Sequence, residues 1–312
     1  MLRRLGRLGN SWLPTVARRF SSAETASEGG REMTAFRPAE LIQEARRQQS
    51  MACFAILPAS RPIPCRLMRT IRIHAPLPLD PGIDLALPAQ AGEHVARVLR
   101  MTAGDPLVLF NGDGHDYAAT ILSVGKREVI VRIGARERID NESPLRLTLA
   151  QGIARGEKMD LIVQKATELG VARIVPLHTE RSEVKLDAAR AEKRLAHWRA
   201  VAESACEQSG RTVVPEIVPA LPLEAWLRDL PADDGALRLA LLPEGTVQAR
   251  ALSFPASGGV LVVGPEGGLG ERDVGALDTA AFHGLRLGPR ILRTETAGLA
   301  ALAALQALHG DI

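Results

Sequence analysis

The residues best placed to do chemistry crowd into two short stretches near the C-terminus. These are Gly264-Pro-Glu-Gly-Gly-Leu-Gly-Glu271 and Leu287-Gly-Pro-Arg-Ile-Leu-Arg-Thr-Glu-Thr-Ala297. The first packs four glycines and a proline into seven residues, so its backbone can take positive φ and approach a ligand without Cβ interference. It is not a Walker loop, because no lysine followed by Ser or Thr stands where phosphates would be met. Its glycine spacing also fails the dinucleotide fingerprint. Glu266 and Glu271 would repel a pyrophosphate, which favours a ligand that is neutral or cationic here, and a sulfonium such as S-adenosylmethionine (SAM) satisfies that.

The elements that must position these loops can be read from the apolar runs before them. Residues 260–263 form a continuous aliphatic run with no polar member, as expected of a strand buried on both faces of a parallel sheet. Residues 285–287 make a shorter strand that breaks at Gly288-Pro289, and 237–242 make another that ends in Pro243-Glu-Gly245. Three Gly/Pro bends therefore follow three strand ends, the place where open α/β sheets bind small molecules. Their convergence would let main-chain groups grip an adenine. The residues expected to hold the cofactor are Leu242, Pro243, Glu244, Gly245, Gly264, Pro265, Glu266, Gly267, Gly268, Leu287, Gly288, Ile291 and Leu292.

Together with Lys165-Ala-Thr-Glu-Leu-Gly-Val171 and Glu207-Gln-Ser-Gly-Arg211 upstream, these motifs resemble the SPOUT methyltransferases, specifically the bacterial 16S rRNA uracil-N3 methyltransferase family. The resemblance runs from Met68 to the C-terminus. It implies an α/β fold with a deep C-terminal trefoil knot, a parallel sheet flanked by helices, SAM as cofactor, an N-terminal PUA-like β-barrel and a homodimer. The implied substrate is 16S rRNA in the small ribosomal subunit, methylated at N3 of a uridine. Two alternatives remain open. One is another SPOUT activity, 2′-O-ribose or guanosine N1 methylation; the other is a non-catalytic RNA-binding assembly factor.

Within this reading, Arg293 is the candidate for stabilising negative charge on the uracil oxygens, and Glu295 is a candidate base. Arg293 could instead form an ion pair with Glu295 or Glu266. The expected RNA contacts are Arg97 and Arg100 on a short helix within residues 91–101, and Arg155, Lys158 and Lys165 as a cationic ridge. Arg181 in the loop after a strand at 171–177 and Arg211 at the end of a long helix at 188–209 complete the set. Glu207 and Arg211 could also be a helix-end salt bridge.

Composition bounds the rest. The formal charge of +3 hides an asymmetry, because residues 1–67 hold 11 Lys/Arg and 5 Asp/Glu while residues 68–312 hold 28 and 31. Nucleic-acid binding must then use a local basic patch rather than an overall field. Aromatic residues make up 3% of the chain, too few for a surface that stacks successive bases. No apolar run approaches a membrane span, so a soluble globular protein is expected. Cys206 is the one cysteine outside residues 1–67, which fits a reducing, cytoplasmic setting. The scattered histidines show no ligand spacing, and no metal is expected.

The domains expected are an extension at 1–67, a barrel at 68–142 with a hairpin at Asn111-Gly-Asp-Gly114, and a methyltransferase domain at 143–312. The extension is arginine-rich and is read as a disordered segment or a mis-assigned start, with an organelle presequence as the alternative.

Overall fold

The computed structural model describes residues 70–312 except 127, 185, 186 and 233. The expectations for residues 1–67 lie outside the described residues. Two sheets carry the architecture.

The first sheet is built from β1 (Arg72–His74), β2 (Asp84–Ala86), β3 (Pro106–Phe110), β4 (His115–Val124) and β5 (Val129–Arg138), in the order β1-β3-β4-β5-β2. Its β1–β3 pair is parallel and the rest are antiparallel. Alternation decides which face is buried: Tyr117, Ala119 and Ile121 on β4 meet Val129, Val131 and Ile133 on β5 in one apolar cluster. The Asn111-Gly-Asp-Gly114 turn joins β3 to β4, with both glycines at positive φ. The helix expected over 91–101 is shorter. It is α1 (Ala89–Glu93), which relaxes into a π-helical turn at His94–Val98, and Arg100 follows it at φ 54°.

The second sheet is entirely parallel. Its strands are β6 (Leu147–Gly152), β7 (Arg173–His178), β8 (Glu216–Ile217), β9 (Leu221–Pro222), β10 (Leu237–Leu241), β11 (Val247–Gln248), β12 (Gly259–Val263) and β13 (His283–Arg286). The order is β11-β13-β10-β12-β6-β7-β8, with β9 also pairing β7. Helices cover both faces. Leu149, Leu239, Leu261 and Leu285 pack with α2 (Glu157–Glu168), α3 (Ala188–Ser209) and α6 (Thr294–His309). The neighbouring positions Ala150, Ala240, Val260 and Val262 turn the other way, towards Trp226 of α4 (Leu223–Asp229) and Leu277 of α5 (Glu271–Thr279). This two-sided burial explains why the strands read as unbroken apolar runs.

The last strand, β13, lies between β10 and β11, although both precede it in the chain. The connection from β10 to β11 must therefore cross β13. It does so at Gly245, where an added Cβ would sit 2.6 Å from the Gly284 carbonyl oxygen. No side chain fits that crossing.

The two sheets are tied together by side chains. Arg72 on β1 donates to Asp116 at 2.6 Å and to the Arg211 carbonyl, and stacks over Phe110. Glu207 on α3 accepts from the His74 amide at 3.0 Å. Among the described residues no helix is long and apolar enough to cross a membrane, and no cluster of His, Cys, Asp or Glu could hold a metal ion.

Candidate active site

The bends after β10, β12 and β13 line a single cavity of about 640 Å³, within the range of small-molecule sites. Leu242, Pro243 and Glu244 come from the first bend, Gly264 to Gly268 from the second, and Leu287, Gly288, Ile291 and Leu292 from the third. Gly245 does not line it. That glycine is a correction to the sequence reading, since its lack of a side chain serves the crossing over Gly284 rather than a ligand.

A buried polar cluster sets the shape of the cavity. Gln151, at the end of β6, is fully buried and donates through Nε2 to the Thr294 hydroxyl at 3.0 Å and to the Gly264 carbonyl at 3.3 Å. Thr294, at the start of α6, donates to the same carbonyl at 2.6 Å. One carbonyl in the glycine loop thereby ties together β6, β12 and α6. Gly298 lets α6 approach, with an added Cβ falling 3.4 Å from Gln151 Oε1. Gly152 does the same for the loop: a Cβ there would lie 2.6 Å from Pro265 Cδ and 2.7 Å from its nitrogen. Neither Gln151 nor Thr294 is among the residues expected from sequence. A polar residue near the end of a largely apolar strand was the available signal for Gln151, because a buried polar group must find partners.

On the far side of the loop, the buried Asp273 carboxylate accepts from the amides of Gly270 and Glu180. Glu180 in turn accepts from the Arg272 amide. This exchange locks the segment after β7 to the N-terminus of α5 and sets Arg181 against the glycine loop. Arg181 Nη1 donates to the Gly267 carbonyl at 3.1 Å, and Arg181 lines the cavity.

The charges are arranged differently from the sequence reading. Lys158 lines the cavity and lies 3.3 Å from Glu266 and 3.5 Å from Glu295. Burial pushes the Glu266 carboxyl up, but the Arg155 amide and Lys158 outweigh it and hold the group below its ordinary value. Glu266 is thus a neutralised carboxylate rather than a bare negative charge. Arg155 pairs with Glu183, and Lys165 pairs with Glu168 at 2.7 Å away from the cavity. The expected cationic ridge is instead three cations paired with four carboxylates. The Arg155–Glu183 pair is exposed on both sides, and pairs of that kind are worth little and open readily, so Arg155 presents charge only after exchanging its partner.

Arg211 is also corrected. It is 5% exposed, and its guanidinium donates to Glu142 and to the carbonyls of Thr167 and Val171 at 2.8 and 2.9 Å. Its partner is Glu142 rather than Glu207, and it has no face left for RNA. Arg97 is exposed and bonds Glu93 at 2.6 Å, one helical turn away, on the first sheet's helix with Arg100 just beyond.

Arg293 is the residue preceding α6, exposed at the cavity edge, with its carbonyl accepting from Thr296 and Ala297. Among the described residues no carboxylate pairs with it, and Glu295 and Glu266 turn to Lys158. Arg286 and Arg290, which the sequence reading left out, also line the cavity and are exposed. Glu295 is not part of the lining. Its Oε2 is buried without a hydrogen-bond partner, close to the Lys158 ammonium.

The sequence and the fold are both matched by known proteins. A family model described as an RNA methyltransferase domain covers residues 141–306, and one described as an RNA methyltransferase PUA domain covers residues 87–134. The ribosomal RNA small subunit methyltransferase E of Bacillus subtilis is 34% identical over 230 residues, 70% of this chain and 89% of that protein. The chain belongs to the ribosomal RNA small subunit methyltransferase E family. A family member from Neisseria gonorrhoeae, solved bound to S-adenosyl methionine, is 38% identical with a TM-score of 0.72, covering 78% of this chain and 99% of that one. A methyltransferase from Legionella pneumophila, described in complex with bound SAM, is 42% identical with a TM-score of 0.75 and covers 78% and 100%. The PUA-domain match falls within the first sheet, from α1 into β5, and the methyltransferase-domain match spans the whole second sheet.

Proposed function

We propose that this chain methylates N3 of a uridine in 16S rRNA, using SAM held in the three-bend cavity. Membership of the family makes it a SAM-dependent rRNA methyltransferase. The observation that supports SAM as the cofactor is the single cavity lined by all three bends, and the family supports the rRNA substrate.

The residues fit the cofactor. Apolar walls from Leu242, Val263, Leu287 and Leu292 suit an adenine, bend carbonyls and amides suit its edge, and Glu244 is an exposed carboxylate at the rim. When bound, SAM supplies an electrophilic methyl on a sulfonium for in-line displacement. The protein contributes alignment, which can supply much of the barrier reduction. The uracil must be unpaired and must lose its N3 proton. Arg293 stabilises the negative charge that develops on the uracil oxygens without itself taking a proton. Glu295, held near Lys158, is the candidate acceptor of that proton.

The same reading covers the architecture. The first sheet is a PUA-like β-barrel at 68–142 that meets RNA through Arg97 and Arg100, followed by a methyltransferase domain at 143–312. The passage of β13 between β10 and β11 supports a C-terminal trefoil knot closed over the cavity. The working form is a homodimer in the cytoplasm, with Arg155, Lys158, Lys165 and Arg181 as further RNA contacts once their present partners are exchanged.

The test is tritiated methyl transfer to small subunits that lack the modification, followed by nucleoside analysis. 3-Methyluridine is the expected product. A 2′-O-methyl nucleoside or 1-methylguanosine would replace the uridine reading, and no transfer would remove it.

A further inference from the structure

The third bend, expected to hold the cofactor through its main chain, carries one side chain that is largely exposed. Ile291 lines the cavity, yet it is 86% exposed, more than any other large apolar residue among those described. It stands between Arg290 and Arg293, with Arg286 nearby in the same bend, all three exposed and none paired with a carboxylate among the described residues. By contrast, Lys158 in the same cavity is engaged with two carboxylates. The bend is also held in shape: Gly288 sits at φ 116°, Arg286 Nε donates to the Gly288 carbonyl, and the Arg293 carbonyl begins α6.

An apolar knob on a fixed bend, ringed by unpaired guanidiniums, suits a polyanion that also offers apolar faces. Unstacked RNA has both, in its phosphates and its bases. A second copy of this chain suits it less well. A two-fold contact places the same patch on itself, and would set three guanidiniums against three.

We propose that the Ile291 side chain is a wedge that rests against the substrate's bases and fills the gap left when the target nucleotide is drawn into the cavity. Extrusion of a base costs stacking energy, and proteins that unstack nucleic acids commonly insert an aliphatic side chain at the opened step. Arg290 and Arg286 then lie beside the flanking phosphates. The main chain of the bend serves the cofactor, while this side chain serves the RNA. The inference rests on the rRNA methyltransferase reading.

The experiment compares full-length wild type with Ile291→Ala and Ile291→Met on small subunits lacking the modification. SAM affinity is measured by calorimetry and molar mass by light scattering. The exposed position makes either substitution harmless to the fold, which a melting curve verifies. The expected result is a fall in kcat/KM of about tenfold for Ile291→Ala, with SAM affinity and molar mass unchanged and most of the rate restored by Ile291→Met. Loss of SAM affinity in step with rate would make Ile291 a cofactor contact and overturn the wedge. A halved molar mass would make it a subunit contact, and an unchanged rate would leave it no role; both also overturn it. A wild-type protein that methylates nothing would instead defeat the underlying functional reading.

Discussion

The Thr294 hydroxyl donates to the Gly264 carbonyl at 2.6 Å, joining the first turn of the last helix to the first residue of the glycine loop. Thr294→Val keeps the shape and removes the donor. The carbonyl would retain only the 3.3 Å bond from Gln151, and Gln151 would lose a partner. A buried group left short of partners costs about 1–3 kcal/mol. SAM affinity measured by calorimetry should fall, with a melting temperature lower by roughly 2–4 °C per kcal/mol.

Gly152→Ala should act on the loop rather than the sheet. The added Cβ would fall 2.6 Å from Pro265 Cδ, with no flexible side-chain tip there to yield. Overpacking of this kind costs about 1–3 kcal/mol. The expected outcome is a folded protein with near-native circular dichroism and SAM binding weakened by about tenfold or more. Unchanged SAM binding would mean that the Pro265 bend is not what shapes the cofactor site.

Arg293→Ala tests the mechanism itself. Removing a group that stabilises charge only as the reaction proceeds should lower kcat by about 10²–10³-fold and leave SAM affinity within a factor of about two. Single-turnover methyl transfer and calorimetry separate the two effects. Turnover that survives would remove Arg293 from the chemistry.

Arg211 belongs to stability. Its guanidinium satisfies two buried carbonyls and Glu142 together, a set that one lysine ammonium cannot reproduce. Breaking a buried pair typically costs 3–5 kcal/mol, and the partial exposure of Glu142 puts this case at about 3. Arg211→Lys and Arg211→Gln should both lower the melting temperature by roughly 10 °C, whereas SAM affinity in the cold should be retained.

Glu207 predicts a pH effect. Burial raises its carboxyl above the ordinary value of 4.5, only partly offset by the His74 amide. The folded state therefore holds the proton more tightly than the unfolded state, and the group's contribution to stability falls as pH rises past 4.5. Glu207→Gln keeps an acceptor for the His74 amide and removes the charge. It should equal or exceed wild-type stability at pH 7, and the difference should vanish below pH 4.5 in denaturant titrations.

Much of this was legible in the chain's own letters. Residues 260–263 announced a doubly buried strand because nothing polar interrupted them, and Gly288-Pro289 announced a bend because no strand continues through that pair. The partnerships were not legible. Gln151 and Thr294 are 143 residues apart, and local pattern carries no information about which distant groups meet. Arg211 shows the same limit from the other side: a motif gives its position, but only packing shows that its donors are spent. The charge ridge failed for a related reason, since Glu183 and Glu266 arrive from other loops and Glu295 from the first turn of α6 to cover it.

The placement of β13 has a consequence for synthesis. A nascent chain that has not reached residue 283 already contains the residues of β10 and β11, but not the strand that lies between them and that is the pairing partner of β11. The glycine loop exists by then, while its third wall and the Thr294 anchor do not. Competence to hold the methyl donor therefore waits until residue 294 has been made, and a product truncated before β13 should be blind to the cofactor however well its earlier portions have formed.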